Sequence, residues 1–191
     1  HMKILLSNDD GYYADGLQAL CSELSKNHDI FVAAPLKNHS AGSSALSVRK
    51  DIGVDNIKNN HYAIDGTPAD CVHIALTCLI KEQIDIVVSG INMGANLGDD
   101  VIYSGTVAAA LEGRHLEYSP IAISLVSGQN ANFEEAAKVS AHVFSNIMSN
   151  NKIKNNTLLN INIPDLNNNS KKFEFTRLGK RGVPVPAKKI N

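Results

Sequence analysis

Little in this chain suits a membrane, an oxidising compartment or a nucleic-acid partner. No apolar run approaches the roughly 18 to 20 residues that span a bilayer, and no charged-then-apolar leader opens the sequence. A cytoplasmic protein is expected. Its three cysteines, Cys21, Cys71 and Cys78, are an odd number without C-x-x-C spacing, so neither a disulfide framework nor a zinc site is indicated. Each thiol is expected to be a small buried side chain on a helix. With 18 lysines and arginines against 19 aspartates and glutamates, there is no cationic surplus to neutralise a phosphate backbone, which argues against a nucleic-acid polymer as partner. Internal repeats, heptads and a Gly-Lys-Ser/Thr phosphate loop are all missing.

What remains is 191 residues, 43% of them hydrophobic, enough for one domain with a sizeable core. His1 is set aside as a cloning remnant, giving a single domain over 2–191. Lys3-Ile4-Leu5-Leu6 is a short strand that stops at Asn8-Asp9-Asp10-Gly11. Leu17, Leu20, Cys21 and Leu24 then fall at the spacing of an amphipathic helix, and Ile30 to Ala34 is a continuous apolar strand stopped by Pro35. A polar loop follows over 35–45, and 46–64 alternates weakly, predicting a hairpin-like excursion with turn signals at Gly53 and Asn59-Asn60.

Thr67-Pro68-Ala69-Asp70 starts a helix with the usual capping chemistry, and Val72, Ala75, Leu76 and Leu79 carry its stripe. A strand over Ile84 to Ser89 breaks into the Gly- and Asn-rich stretch Gly90 to Asp100. Beyond it come a helix over Val107 to His115, a strand over Ile121 to Leu125, a helix over Phe133 to Ile147 and a strand over Leu158 to Ile163. This alternation predicts an α/β fold with a mostly parallel, Rossmann-like sheet and helices on both faces. In such folds ligands bind outside the carboxyl ends of the strands.

Three polar segments are expected at that edge: Asp9-Asp10, His39-Ser40-Ala41-Gly42 and Gly90-Ile91-Asn92. Together they offer carboxylates, a hydroxyl and a carboxamide, hard oxygen donors suited to Mg²⁺, Mn²⁺ or Ca²⁺. Gly94 to Thr106 adds glycines, Asn96 and Ser104, with Thr106 at a helix start that suits phosphate. A cation beside an anion cradle is equipment for phosphate-ester hydrolysis.

Ser7-Asn8-Asp9-Asp10-Gly11, Ser40-Ala41-Gly42, Gly66-Thr67-Pro68-Ala69-Asp70, Ser89-Gly90-Ile91-Asn92-Met93-Gly94-Ala95-Asn96 and Tyr103-Ser104-Gly105-Thr106 together resemble the SurE family of stationary-phase survival proteins. The likeness continues more loosely through Leu159 to Pro164 and Phe175-Thr176-Arg177. The resemblance implies a metal-dependent phosphohydrolase removing phosphate from nucleoside 5′- and 3′-monophosphates, with short-chain polyphosphate as a further substrate. It implies one divalent cation per subunit held by Asp9, Asp10, Ser40 and Asn92. Asn8, Asn96, Ser104, Gly105, Thr106 and His39 are then expected on the substrate. Members are homodimers or homotetramers, and they usually run further than this sequence does, in a tail that helps build the oligomer.

On this reading a metal-activated water attacks phosphorus, Asp9 orienting or deprotonating it while Asp10 anchors the metal. A covalent aspartyl-phosphate is the competing mechanism. The rivals are a phosphoacceptor regulatory domain, which needs an acceptor Asp after its third strand where this chain has Ser89-Gly90, and a haloacid-dehalogenase-like phosphatase, which needs Asp-x-Asp. A non-catalytic nucleotide- or phosphate-binding module is the third.

Overall fold

The computed structural model describes residues 1–38, 46–47, 51–126, 131–149, 157–164 and 173–183. In chain order the elements are β1 (Lys3–Ser7), α1 (Asp15–Leu24), β2 (Asp29–Pro35), β3 (Val54–Lys58), β4 (His61–Ile64), α2 (Pro68–Ile74), β5 (Ile86–Met93), α3 (Gly105–Leu111), β6 (Ile121–Val126), α4 (Phe133–Ser149) and β7 (Leu159–Pro164). Among the described residues the strands form one sheet in the order β3-β4-β2-β1-β5-β6-β7. Only β3 and β4 pair antiparallel; every other neighbour is parallel.

The chain winds outward from β1 to β2 and β4, then returns to β5 and winds the other way, so the order reverses between β1 and β5. That reversal opens a crevice at their carboxyl ends. The central strands β1, β2, β5 and β6 are largely apolar because both their faces are covered, whereas the edge strand β3 is exposed along its length. Ile4, Leu6, Val32, Ile86, Val88 and Ile123 pack under Leu17, Leu20, Ala136 and Phe144 of α1 and α4. On the other face Leu5, Phe31, Ala33 and Val87 meet Cys71, Val72, Ala75 and Ala109. Each valine, leucine, isoleucine or phenylalanine among them contributes about 1.5 to 3 kcal/mol when fully buried.

The α/β sheet with helices on both faces is therefore present, and the excursion is the β3–β4 hairpin, turning at Asn60 with φ of 63°. Several boundaries differ. The second predicted helix divides: α2 ends at Ile74, and Ala75–Leu79 continues as a π-helical turn that leaves Cys78 exposed. The helix expected over Val107 to His115 begins earlier, at Gly105, because Ser104 caps it by accepting from the Val107 N–H. It stops at Leu111, where tighter turns follow: Gly113 N–H donates to the Ala110 carbonyl and Arg114 N–H to Leu111. Residues 98–103 form a short 3₁₀-helix inside the stretch read as loop. The strand expected to end at Ser89 continues to Met93, with its pairing to β6 shifting between Ser89 and Asn92.

Candidate active site

The Asp9-Asp10 turn sits at the β1/β5 reversal, and its shape is set by Asn8. That side chain is buried; its amide donates to the Gly11 carbonyl (2.8 Å) and its oxygen accepts from the Gly11 N–H (3.2 Å). Asn8 braces the turn in this geometry, whereas the sequence placed it among substrate contacts. Gly11, with φ of 110°, supplies a backbone angle that side-chain-bearing residues rarely adopt.

Asp9 is 7% exposed. Burial holds its carboxyl above the ordinary carboxylate range; the Thr106 hydroxyl pulls it back, and the neighbouring Asp10 charge adds to the rise. Thr106 Oγ1 donates to Asp9 Oδ1 at 2.6 Å. Beside it, a Cβ added at Gly105 would lie 2.8 Å from the Asp9 Cβ, so the start of α3 packs directly on the carboxylate. Thr106 is wholly buried with its hydroxyl spent on Asp9. Its side chain thus serves that carboxylate, where the sequence assigned it to the phosphate. Asp10 is only partly buried.

Asn92 lies on β5 and not on a loop after it. Its amide donates to the Gly94 carbonyl at 2.8 Å, which turns the carboxamide oxygen into the end available to a cation. On the other side of this strand, α1 comes so close that a Cβ at Gly16 would overlap the Ile91 carbonyl. Only glycine lets α1 seat there, next to Asn92.

Asn96 follows on the loop beyond β5. It is held by residues that sequence reasoning did not place at the site: Ser124 on β6, and Asn160 and Asn162 on β7. For the two asparagines the signals were the looser family likeness over 159–164 and the alternation Leu-Asn-Ile-Asn-Ile over 159–163, which by itself reads as a strand with one wet face. Ser104 and Gly105 form the start of α3, ahead of the Val107 at which the helix was expected to begin. His39 and Ser40 lie outside the described residues.

Two carboxylates and a carboxamide oxygen make a hard donor set, and both influences that raise Asp9, burial and an adjacent negative charge, are relieved by a bound cation. The residues present fit a divalent ion with oxygen ligands. Among the described residues no group of three His, Cys, Asp or Glu side chains is gathered as a metal cluster.

The fold and this edge define a doubly wound α/β protein in which the Asp9 carboxylate packs on a helix start at the topological switch point. The sequence profile described as "Survival protein SurE" matches residues 4–184. A protein of Ruthia magnifica subsp. Calyptogena magnifica named 5′-nucleotidase SurE is 51% identical over 181 residues, covering 94% of this chain and 73% of that one. One of the same name from Legionella pneumophila (strain Lens) is 49% identical over 97% of this chain and 73% of its own length. The crystal structure of the SurE protein from Aquifex aeolicus superposes with a TM-score of 0.86 at 41% identity, over 94% of this chain and 73% of that chain. The chain belongs to the SurE family.

Proposed function

We propose that this protein is a 5′-nucleotidase that removes phosphate from nucleoside 5′-monophosphates, and that it also accepts 3′-monophosphates and short-chain polyphosphate. The observation that carries the reading is one juxtaposition: Asp9, in the acidic turn after β1, packs against Gly105 and Thr106 at the start of α3 beside the β1/β5 crevice. It occurs in a chain about half identical to proteins named for that activity.

In the reaction a water oxygen forms a bond to phosphorus in line with the ester oxygen, the ester P–O bond breaks, and the leaving nucleoside hydroxyl gains a proton. Asp9 orients the water and receives its proton, held at a fixed angle by Thr106. When bound by Asp9, Asp10, Asn92 and Ser40, a divalent cation, Mg²⁺ or Mn²⁺ with Ca²⁺ able to take the same donors, supplies positive charge for the phosphoryl oxygens. Asn96, Ser104 and Gly105 form the phosphate side, with His39 a further contact from the loop that carries Ser40. We place the enzyme in the cytoplasm as a homodimer or homotetramer. Among the described residues no helix is long and apolar enough to cross a membrane.

The test is phosphate release from a panel of nucleoside 5′- and 3′-monophosphates with Mg²⁺, Mn²⁺ or EDTA, for wild type and Asp9→Asn. Release that needs the cation and falls by about three orders of magnitude or more in the variant supports the assignment. Nucleotide binding without turnover by folded, metal-loaded wild type would make the protein a binding module instead.

A further inference from the structure

The asparagines of β7 have a use that solvent exposure does not explain. Leu159, Ile161 and Ile163 pack into the core under α1 and α4, so Asn160 and Asn162 point to the opposite face. There Asn162 is the register partner of Ser124 on β6, and Ser124 is the partner of Asn92 on β5. A polar row thus crosses the sheet from the candidate cation ligand to the edge strand.

Asn96 sits on this row. Its N–H donates to Asn162 Oδ1 at 2.9 Å, and its carbonyl accepts from Asn162 Nδ2 at 2.9 Å and Asn160 Nδ2 at 2.8 Å. One carboxamide therefore bonds both backbone groups of Asn96, as a neighbouring strand would, and both lone pairs of the carbonyl are taken. The Asn96 side chain is fixed in turn, its Nδ2 donating to Ser124 Oγ at 2.8 Å. The second hydrogen of that amide stays available for a phosphoryl oxygen.

Asn160 Oδ1 is itself buried, without a hydrogen-bond partner among the described residues.

We infer that Asn162, seconded by Asn160 and Ser124, is a positioning residue that clamps Asn96 so that its carboxamide presents a donor to the phosphate. The functional consequence rests on the nucleotidase reading; the clamp itself does not. In Asn162→Ala, KM for adenosine 5′-monophosphate should rise about tenfold while kcat falls less than about threefold. Asn162→Asp, which keeps the acceptor and loses the donor, should fall between the two, and it replaces the alanine variant if that one does not fold. In an Asn96→Ala background the Asn162 change should add less than about twofold to KM, because its effect passes through Asn96.

Hydrogen exchange by the same proteins supplies a readout without turnover: amides over residues 94–97 should exchange faster in the variant while β5 and β6 stay protected. KM effects that multiply independently, a kcat loss that follows the melting temperature, or unchanged protection over 94–97 would overturn the clamp. Wild type that releases no phosphate sinks the nucleotidase reading instead, and exchange alone then decides the clamp.

Discussion

Thr106 and Asp9, 97 positions apart in the chain, are joined by a 2.6 Å hydrogen bond in which the threonine hydroxyl donates to Oδ1. A buried carboxylate with a fixed donor on one oxygen has its other oxygen aimed as well. Replacing Thr106 by Val keeps the volume but removes the hydroxyl donor to Asp9, whereas Ser keeps it. Thr106→Val should lower kcat about ten- to a hundredfold with little change in KM, and Thr106→Ser should retain most of the activity. Steady-state kinetics on one nucleoside monophosphate decides it; a loss confined to KM would return Thr106 to the substrate.

Gly105 makes the complementary prediction about space. Any side chain there meets Asp9, since an added Cβ would stand 2.8 Å from the Asp9 Cβ and 3.1 Å from Oδ2. Gly105→Ala should therefore displace the carboxylate or the start of α3, costing about 1 to 3 kcal/mol of stability and at least about tenfold in kcat/KM. A Mn²⁺ titration followed by electron paramagnetic resonance should register weaker metal binding in the same protein. Wild-type affinity together with wild-type kcat/KM would show that the turn absorbs the methyl group.

These two contacts mark where the sequence stops being legible. The doubly wound sheet was readable because its central strands are short apolar runs, stopped at Asn8-Asp9-Asp10-Gly11 after β1 and at Pro35 after β2, and the helix stripes keep their spacing. Asp9, Asp10, Asn92, Asn96 and Ser104 were readable as candidate site residues because polar groups where apolar strands end need a reason. The division of labour among them was not. Periodicity places Thr106 at a helix start, but only the packing of α3 on β1 decides whether its hydroxyl meets a ligand or Asp9. Asn92 was read onto a loop because glycine ahead of it signals a turn, while the sheet absorbs Gly90 as an irregularity and carries on. The contact of Asn160 and Asn162 with Asn96 was hidden for the converse reason: alternation predicts a wet face, and here that face is covered by the Asn96 loop.

Asp70 does two jobs at once. It completes the capping box of α2, with its Oδ2 accepting from the Thr67 N–H, and it holds Ser47, whose N–H and hydroxyl both donate to it at 2.8 Å. Burial opposes its ionisation, yet these bonds outweigh burial and hold the carboxyl below its ordinary 3.8. A depressed carboxyl stabilises the fold above its unfolded value and loses that contribution as pH falls through the folded one. Asp70→Asn should cost about 1 to 2 kcal/mol at neutral pH, and wild type should lose that advantage below pH 3.8. Urea unfolding of both proteins at pH 7 and pH 3 checks it, and a gap that stays constant would sink the assignment.

His61 governs a different window. Its ring is buried at the start of β4, with Nδ1 3.1 Å from the Tyr12 hydroxyl, and Tyr12 directly follows the glycine that closes the carboxylate turn. Burial first and the Lys58 charge second push its pKa down from 6.5 to about 4. Between those values the unfolded chain binds a proton that the folded chain does not, so stability present in full above pH 6.5 falls as pH drops and levels off below about 4. The slope contributed by one such group is at most about 1.4 kcal/mol per pH unit. His61→Gln cannot take up that proton and should unfold with a shallower dependence across the window, even though it loses some stability at pH 7 from imperfect packing. Urea midpoints at pH 7, 5.5 and 4.5 compare the slopes and not the heights. Parallel slopes in the two proteins would mean that His61 is protonated in the folded state as readily as in the unfolded one, and that the buried Tyr12–His61 contact tolerates the charge.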